Sequence, residues 1–323
     1  MNILITSAGQ RVSLVRAFQK ELKMVYPTAK VFTTDMNPGL SAACNVSDGY
    51  FKIRRVTDTE YIPDLLALCK KENVGMIIPT IDTELLVLAQ KKALFTDAGV
   101  NLIISSKEFV SICRDKRKSA EFFRSHSINV PKEIDKDNPS FPLFIKPFDG
   151  SLSVDTFIIE TKEQLTEYHL TNDRLLFMEY IQKADHDEFT VDMYYGRDNL
   201  VKCIVPRKRI WVRAGEVNKA LTFNNVIVGF LKEKLGKIEG AIGCLTVQVF
   251  LNKLSEKIIG IEINPRFGGG YPLSYKAGAN FPKWLIREYY FNESINYTDN
   301  WENNLLMLRY DDEVLVHDFI SEK

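Results

Sequence analysis

Four polar residues in the last third of the chain have types and spacing that suit metal and phosphate chemistry. Gln248 lies in a stretch that alternates apolar and polar residues with the period of a strand, and a second apolar stretch, Ile258–Ile263, follows a polar connection. Because residues two apart on a strand share a face, Glu262 and Asn264 can converge with Gln248. Three oxygen-bearing side chains suit Mg²⁺, and Arg266 can reach a phosphate on that metal. Alternatively, Glu262 is one solvated carboxylate on a hairpin.

A phosphate-binding loop is indicated earlier in the chain. Leu143–Ile145 is predicted to be a short strand with Lys146 at its end, and the small, polar stretch DGSLSVD follows. The backbone N–H groups of this stretch and the hydroxyls of Ser151 and Ser153 could cover phosphates. The alternative is that Lys146 is simply exposed, as most lysines are.

Two other stretches are rich in basic residues. Val110–His126 predicts an amphipathic helix that carries Lys116, and a solvated basic face explains most of its charges. The stretch PRKRIWVR follows the predicted strand Val201–Val205, and Arg207 and Arg209 could hold a phosphate or a carboxylate there. Equally, these charges could protect an exposed edge strand.

Two carboxylates flank a connection between predicted strands. Glu179 lies near the end of the strand Leu175–Tyr180, and Glu188 directly precedes the strand Phe189–Tyr195. A hinge between strands can offer backbone groups to a nucleotide base, one carboxylate to an amine and another to ribose hydroxyls. The alternative is that both are ordinary edge residues.

The composition narrows the class of protein. The 323 residues suffice for two or three packed units, and 45% hydrophobic with 26% charged residues is ordinary for a soluble globular protein. A formal net charge of zero argues against nucleic acid and anionic membranes as partners, and no apolar run has the length of a membrane span. Five scattered cysteines and a first segment unlike a signal peptide indicate a reduced, cytoplasmic protein. The four histidines do not cluster, which disfavours a zinc site or a histidine-based nucleophile system.

The first 106 residues alternate predicted strands and helices, which indicates a parallel sheet covered by helices. Ligands of such sheets bind at the carboxyl ends of the strands, where Ser7, Asp35 and Asp82 are expected. The segment SAGQR holds one glycine, so nicotinamide binding is poorly supported. The predicted strands are Asn2–Thr6, Val31–Thr34, Met76–Pro79 and Asn101–Ile104, and the predicted helices are Arg11–Leu22, Ile62–Lys71 and Glu84–Lys92.

The motifs, taken in order, resemble those of ATP-grasp enzymes in the branch around the large subunit of carbamoyl phosphate synthase. They are IIPTIDTEL, CRDK…NVP, FIKPFDGS, MEYI…EFTVD, VPRKRI, Gln248 and IEINPRFGGG, and the resemblance extends to about Leu285. It implies an ATP-grasp fold, α/β with an α+β C-terminal part, preceded by a Rossmann-like pre-ATP-grasp domain. The implied divisions are 1–107 for that domain, 108–180 for a small lobe whose central part 140–180 is the ATP lid, and 181–323 for a large lobe with the metal and phosphate site.

The same resemblance implies a role for each matching residue, with ATP and Mg²⁺ as cofactors. One or two Mg²⁺ ions are expected, and Mn²⁺ could replace them. The implied ATP-binding residues are Lys116, Lys146, Ser151, Ser153, Glu179 (near the adenine amine), Tyr180 and Ile181 (through the backbone) and Glu188 (at the ribose). The implied metal ligands are Gln248, Glu262 and Asn264, and the implied catalytic residues are Lys146, Asn264 and Arg266, which stabilises the transferred phosphoryl group.

The implied reaction activates a small carboxylate as an acylphosphate, with release of ADP, for attack by an amine. The acceptor pocket is expected between the N-terminal loops and Gly268–Gly270, with Arg207, Arg209, Gly268 and Gly269 as substrate contacts. Two alternatives stay open: carbamate or carbamoyl phosphate chemistry, for which the chain has a single set of motifs, and ATP binding without turnover. A homodimer also stays open.

Two departures from the family pattern stand out. The phosphate loop is poor in glycine, with Leu152, Val154 and Asp155 where small or basic residues are usual, so closure of this loop is in question. Gln248 is neutral where many relatives have a carboxylate, so a second metal ion is expected to bind more weakly.

Overall fold

A computed structural model of the chain describes residues 1–150, 154–213 and 215–319. The N-terminal part forms the expected parallel sheet, with the strand order β3-β2-β1-β4-β5 and parallel pairing throughout. Its strands are β1 (Asn2–Ile5), β2 (Val31–Asp35), β3 (Tyr50–Lys52), β4 (Val74–Ile78) and β5 (Asn101–Leu102). Its helices are α1 (Val12–Val25), α2 (Ala42–Val46), α3 (Tyr61–Lys71), α4 (Asp82–Gln90) and α5 (Lys92–Asp97). The edge strand β3 was not predicted.

Continuous apolar stretches in the sequence explain why these strands form a buried parallel sheet. β4 is buried along its whole length, and Ile3, Leu4 and Ile5 of β1 have no exposed surface. Parallel strands covered on both faces are expected to be apolar at every position rather than at alternate ones. The helix α1 buries Leu14 and Phe18 at helical spacing against the sheet, which confirms the amphipathic pattern of its sequence.

The described part of residues 107–179 forms three helices and a small antiparallel sheet of order β7-β6-β8. These elements are α6 (Lys107–Arg114), α7 (Lys116–Ser125), β6 (Leu143–Pro147), β7 (Phe157–Ile159), α8 (Glu167–Thr171) and β8 (Leu175–Glu179). The single helix predicted over Val110–His126 was wrong. It breaks at Asp115, whose backbone is extended and whose side chain accepts a hydrogen bond from the Arg117 N–H as the cap of α7.

The remaining strands form a six-stranded antiparallel sheet of order β13-β12-β9-β10-β11-β14. Its elements and the accompanying helices are β9 (His186–Tyr195), β10 (Val201–Arg213), β11 (Glu216–Thr222), α9 (Val226–Leu235), β12 (Gly243–Asn252), β13 (Ile258–Asn264), α10 (Tyr271–Lys276), α11 (Phe281–Tyr290) and β14 (Leu306–Leu308). The predicted hairpin is confirmed as β12 and β13, which pair Gln248 with Glu262.

The parallel sheet and the six-stranded sheet share one hydrophobic core, in which Phe18 of α1 packs edge-on against Phe267 at 5.8 Å between ring centroids. The three-stranded sheet has a separate small core that includes Leu143, Ile145 and Phe177. The first two sheets therefore form one packed body, and the third covers it as a smaller lobe. No helix in the described ranges is long and apolar enough to cross a membrane.

Candidate active site

A cavity of about 580 Å³ lies where the three sheets meet. Its walls contain every predicted site residue that the structure describes, although those residues span Lys116 to Gly269 in sequence. Ser151 and Ser153 lie outside the described residues. The lining residues among the predicted set are Lys116, Lys146, Glu179, Tyr180, Ile181, Glu188, Arg207, Arg209, Gln248, Glu262, Asn264, Arg266, Gly268 and Gly269. Their roles remain predictions, but their convergence on one cleft is a property of the fold.

The hairpin of β12 and β13 places three oxygen-bearing side chains on one face. The Gln248 Nε2 donates to Glu262 Oε1 at 2.8 Å, and the Asn264 Nδ2 donates to the same oxygen at 2.9 Å. One carboxylate and two amide oxygens form a donor set that fits a Mg²⁺ ion whose other ligands are phosphates and water. Across the described residues, no group of three His, Cys, Asp or Glu side chains could hold a metal. The hairpin is therefore the metal-binding candidate.

Two lysines, Lys116 of α7 and Lys146 of β6, face this hairpin. Lys116 is fixed by the break between α6 and α7, where its N–H donates to the carbonyl of Phe148 at 2.8 Å. Its Nζ donates to the Gly150 carbonyl and lies 3.7 Å from Glu262 Oε2. Lys146 is 6% exposed at the end of β6, and burial lowers its pKa to about 8, while Glu262 opposes and Lys116 adds to this shift. Both ammonium groups therefore lie where a phosphate would relieve their mutual repulsion.

The connection after β8 has free backbone groups. Among the described residues, the backbone N–H and C=O groups of Tyr180 and Ile181 have no hydrogen-bond partner, so they can pair with the edge of a base. The Glu179 carboxylate accepts from the Lys132 N–H at 2.9 Å, and Glu188 lies 3.0 Å from Arg209. Both carboxylates line the cleft, but each already has a protein partner.

Arg207 is almost completely buried, with 1% of its surface exposed. It donates to both oxygens of Asp192 on the neighbouring strand β9, at 2.7 and 3.0 Å, and its Nη1 has no partner in the described part of the chain. Arg209 donates to Thr190 at 3.3 Å and pairs with Glu188. Arg207 and Arg209, which are predicted to contact the substrate, therefore also form ion pairs within the protein.

Arg266 joins the two halves of the main body. Its guanidinium pairs with both oxygens of Asp82, at 3.1 and 2.7 Å, across 184 positions of sequence. Burial acts to lower the pKa of Arg266, but the charge and hydrogen bonds of Asp82 outweigh it, so the pKa is raised. Arg266 is thus a permanent cation that the N-terminal domain orients toward the cleft.

Three further residues line the cleft beside Arg266, and sequence reasoning missed two of them, Arg11 and Glu216. Arg11 and Asp82 come from the parallel sheet, and Glu216 comes from β11. Asp82 was expected at this edge because ligands bind at the carboxyl ends of parallel strands, and the same rule could have identified Arg11, which follows β1. Glu216 has no such signal, since only the fold brings it over Gly269.

Two family models match the chain. Residues 3–103 match the model described as the N-terminal domain of PylC-like proteins, and residues 171–307 match the one described as ATP-grasp in the biosynthetic pathway with Ter operon. No curated protein sequence matches the chain.

Solved structures share the fold at low sequence identity. The biotin carboxylase domain dimer of a 2-oxoglutarate carboxylase from Hydrogenobacter thermophilus, in complex with MgADP, ADP and bicarbonate, has a TM-score of 0.71 at 13% identity, over 94% of this chain and 73% of that one. N5-carboxyaminoimidazole synthetase from Staphylococcus aureus, complexed with ADP, has a TM-score of 0.68 at 16% identity, over 92% of this chain and 78% of that one. An L-amino acid ligase from Bacillus licheniformis has a TM-score of 0.64 at 17% identity, over 89% of this chain and 73% of that one.

Proposed function

We propose that this chain, which belongs to the ATP-grasp superfamily, is an ATP-dependent, ADP-forming ligase that joins a small carboxylate to an amine. The observation that carries the proposal is the cleft itself. Lys116 of α7 and Lys146 of β6 face the oxygen-bearing side chains of the β12–β13 hairpin, and Lys116 Nζ lies 3.7 Å from Glu262 Oε2. Two cations opposite a hard-metal site form a clamp for a magnesium-bound triphosphate.

Different residues along the cleft would contact different parts of the nucleotide. The backbone groups of Tyr180 and Ile181 would hold the adenine edge, and the two lysines would neutralise the phosphates. Glu262 and the neighbouring amide oxygens of Gln248 and Asn264 would hold a Mg²⁺ ion, which would supply charge neutralisation for the triphosphate. Arg266 would stabilise the charge on the γ-phosphoryl group during its transfer.

The proposed reaction needs no nucleophilic side chain. A carboxylate oxygen of the acid attacks the γ-phosphorus, and the bond to the β,γ-bridging oxygen breaks, which gives an acylphosphate and ADP. The amine nitrogen then attacks the acyl carbon, the carbon–oxygen bond to phosphate breaks, and the amine gives up a proton. The protein therefore acts by positioning and by charge. In accord with this, burial raises the pKa of all five cysteine thiols, Cys44, Cys69, Cys113, Cys203 and Cys244.

Two further proposals concern the number of bound Mg²⁺ ions and the oligomeric state of the protein. The single carboxylate of the hairpin favours one tightly held Mg²⁺ and a weaker second ion, and a magnesium titration with two equally tight sites would contradict this. A homodimer is proposed on the precedent of the Hydrogenobacter thermophilus domain dimer, and sedimentation of the full chain would test it.

A substrate screen that reads ADP and phosphate release tests the function. A panel of organic acids paired with amines is compared with bicarbonate paired with ammonia, which is the carbamate-type alternative. We expect ADP with one organic acid and amine pair, and a loss on the order of 100-fold in Glu262→Ala. Glu233→Ala, whose side chain is 72% exposed on α9, is the matched control and should not change the rate. AMP as product, or nucleotide binding without turnover across the panel, would refute the proposal.

A further inference from the structure

Arg11 is held at the edge of the parallel sheet that faces the cleft. The strand order of that sheet reverses between β1 and β4, and such reversal points are where ligands of parallel sheets bind. The Arg11 guanidinium donates to the Thr80 carbonyl after β4 at 2.9 Å and to the Phe267 carbonyl after β13 at 3.0 Å. These two hydrogen bonds fix its planar fork and leave further N–H groups for a ligand in the cavity that it lines.

Charge compensation distinguishes Arg11 from the other guanidinium groups at this end of the cleft. Arg207 pairs with Asp192, and Arg266 pairs with Asp82. Arg11 has no carboxylate within 4 Å among the described residues, whose ion pairs include none to its side chain. Arg11 therefore has no direct ion-pair partner there, and the carboxylates of Glu216, Asp82 and Glu84 act on it only at longer range.

Arg11 and Arg266 are also neighbours. Both donate to the same carbonyl oxygen of Phe267, at 3.0 and 3.4 Å. Burial, and then the charge of Arg266, lowers the pKa of Arg11 to about 10, while the charges of Glu216, Asp82 and Glu84 oppose this shift, so the guanidinium stays charged at pH 7. An anion placed between these two groups would relieve that repulsion.

We propose that Arg11 binds the carboxylate that the enzyme activates. The inference rests on the proposed function and adds the residue that recognises the acid. A guanidinium without a direct ion pair can bind a singly charged carboxylate, and its planar fork suits the two carboxylate oxygens. A dianionic phosphate fits less well because Asp82 and Glu216 line the same wall and would repel the additional charge. The position beside Arg266 places the carboxylate next to the residue assigned to the transferred phosphoryl group.

The chemistry of a small carboxylate is shared by organic acids and bicarbonate, so the experiment uses both. Acetate, L-alanine and bicarbonate, each labelled with ¹³C at the carboxyl carbon, are titrated with the full chain, and binding is read from the ¹³C line width. We expect at least one probe to bind the wild-type protein. Binding of bicarbonate alone would identify carbamate-type chemistry, and binding of an organic probe would identify an organic acid.

Variants of Arg11 separate its proposed binding of the anion from its hydrogen bonds to the carbonyls of Thr80 and Phe267. Arg11→Gln keeps amide donors for Thr80 and Phe267 but removes the charge, and we expect the probe to bind about 10- to 100-fold more weakly. Arg11→Lys keeps the charge but loses the planar fork, so we expect it to weaken binding of the probe less than Arg11→Gln does. Arg16→Gln, at an exposed position on α1, the helix that Arg11 precedes, is the matched control and should not change binding. Absence of binding by all three probes, unchanged binding in Arg11→Gln, or equal loss in both Arg11 variants would overturn the inference.

The binding experiment and the test of the proposed function have independent outcomes, because binding of the probe requires no turnover. Carboxylate binding without ADP release for any acid refutes the ligase and leaves the anion site. Conversely, ADP release whose KM for the acid does not change in Arg11→Gln refutes the role of Arg11 and leaves the ligase.

Discussion

Replacing Gly270 with alanine is expected to disrupt the buried ion pair between Arg207 and Asp192. Arg207 packs against the glycine loop, Gly268–Gly270. Gly270 precedes α10 with φ −89° and ψ −2°, a conformation that alanine adopts freely, so the substitution changes only the available space. A Cβ at this position would lie 2.2 Å from Nη1 of Arg207 and 2.7 Å from Cγ1 of Val217. Non-bonded heavy atoms do not approach this closely, so the Arg207 guanidinium must move.

The size of the effect follows from what that movement breaks. Arg207 is 1% exposed and Asp192 is fully buried, so a displaced guanidinium leaves an uncompensated carboxylate in the core. Of the shorter contacts of Asp192, only the hydrogen bond from Ser274 Oγ at 2.6 Å would remain. Breaking a buried pair costs about 3–5 kcal/mol, and overpacking alone costs about 1–3 kcal/mol. We therefore expect Gly270→Ala to lower the free energy of unfolding by about 3 kcal/mol or more.

Urea denaturation followed by circular dichroism measures this change. The control is Gly229→Ala in the interior of α9, where a Cβ would meet nothing within 4 Å. Because alanine favours a helix over glycine, the control should raise the free energy of unfolding by about 1 kcal/mol. A Gly270→Ala protein within about 1 kcal/mol of the wild type would refute the packing of Arg207 against the glycine loop.

Three other outcomes are expected. The Lys146 ammonium loses its proton as the pH rises through its lowered pKa of about 8, so MgADP affinity measured by calorimetry should fall between pH 7 and 9.5; Lys146→Met should remove this dependence, and a flat wild-type profile would contradict it. Asp82→Asn should lower kcat about 10-fold at unchanged KM for ATP, because Arg266 loses its orienting carboxylate; a change confined to the KM for ATP would argue against this role. Glu262→Gln should raise the Mg²⁺ concentration for half-maximal activity at least about 10-fold, and an unchanged Mg²⁺ dependence would exclude Glu262 as a ligand.

The elements that the sequence predicted well are those set by local pattern. Alternation in β12, a polar connection and an apolar β13 were enough to predict the hairpin, and its antiparallel register pairs Gln248 with Glu262. The helix over residues 110–126 was wrong because apolar periodicity continues across Asp115. The side-chain cap at Asp115 and the hydrogen bond from the Lys116 N–H to the Phe148 carbonyl, just after β6, end the first helix instead.

The parts of the site that could not be predicted depend on contacts between distant segments. Arg266 and Asp82 are 184 positions apart, and Arg11 is 256 positions from Phe267, so no local spacing relates them. Arg207 was recognised as basic, but its burial follows from Asp192 on the adjacent strand, which periodicity alone does not reveal. A sequence pattern therefore indicates which face of an element is polar, whereas tertiary packing decides which charges are paired and which one stays available.

A crystal structure of the full chain with Mg²⁺ and the non-hydrolysable ATP analogue AMP-PNP tests the central claim most directly. We expect the β- and γ-phosphates between Lys146 and the β12–β13 hairpin, with Mg²⁺ in contact with Glu262 and the adenine edge on the backbone of Tyr180 and Ile181. A nucleotide bound elsewhere, or phosphates in this cleft with Mg²⁺ remote from Glu262, would contradict the claim.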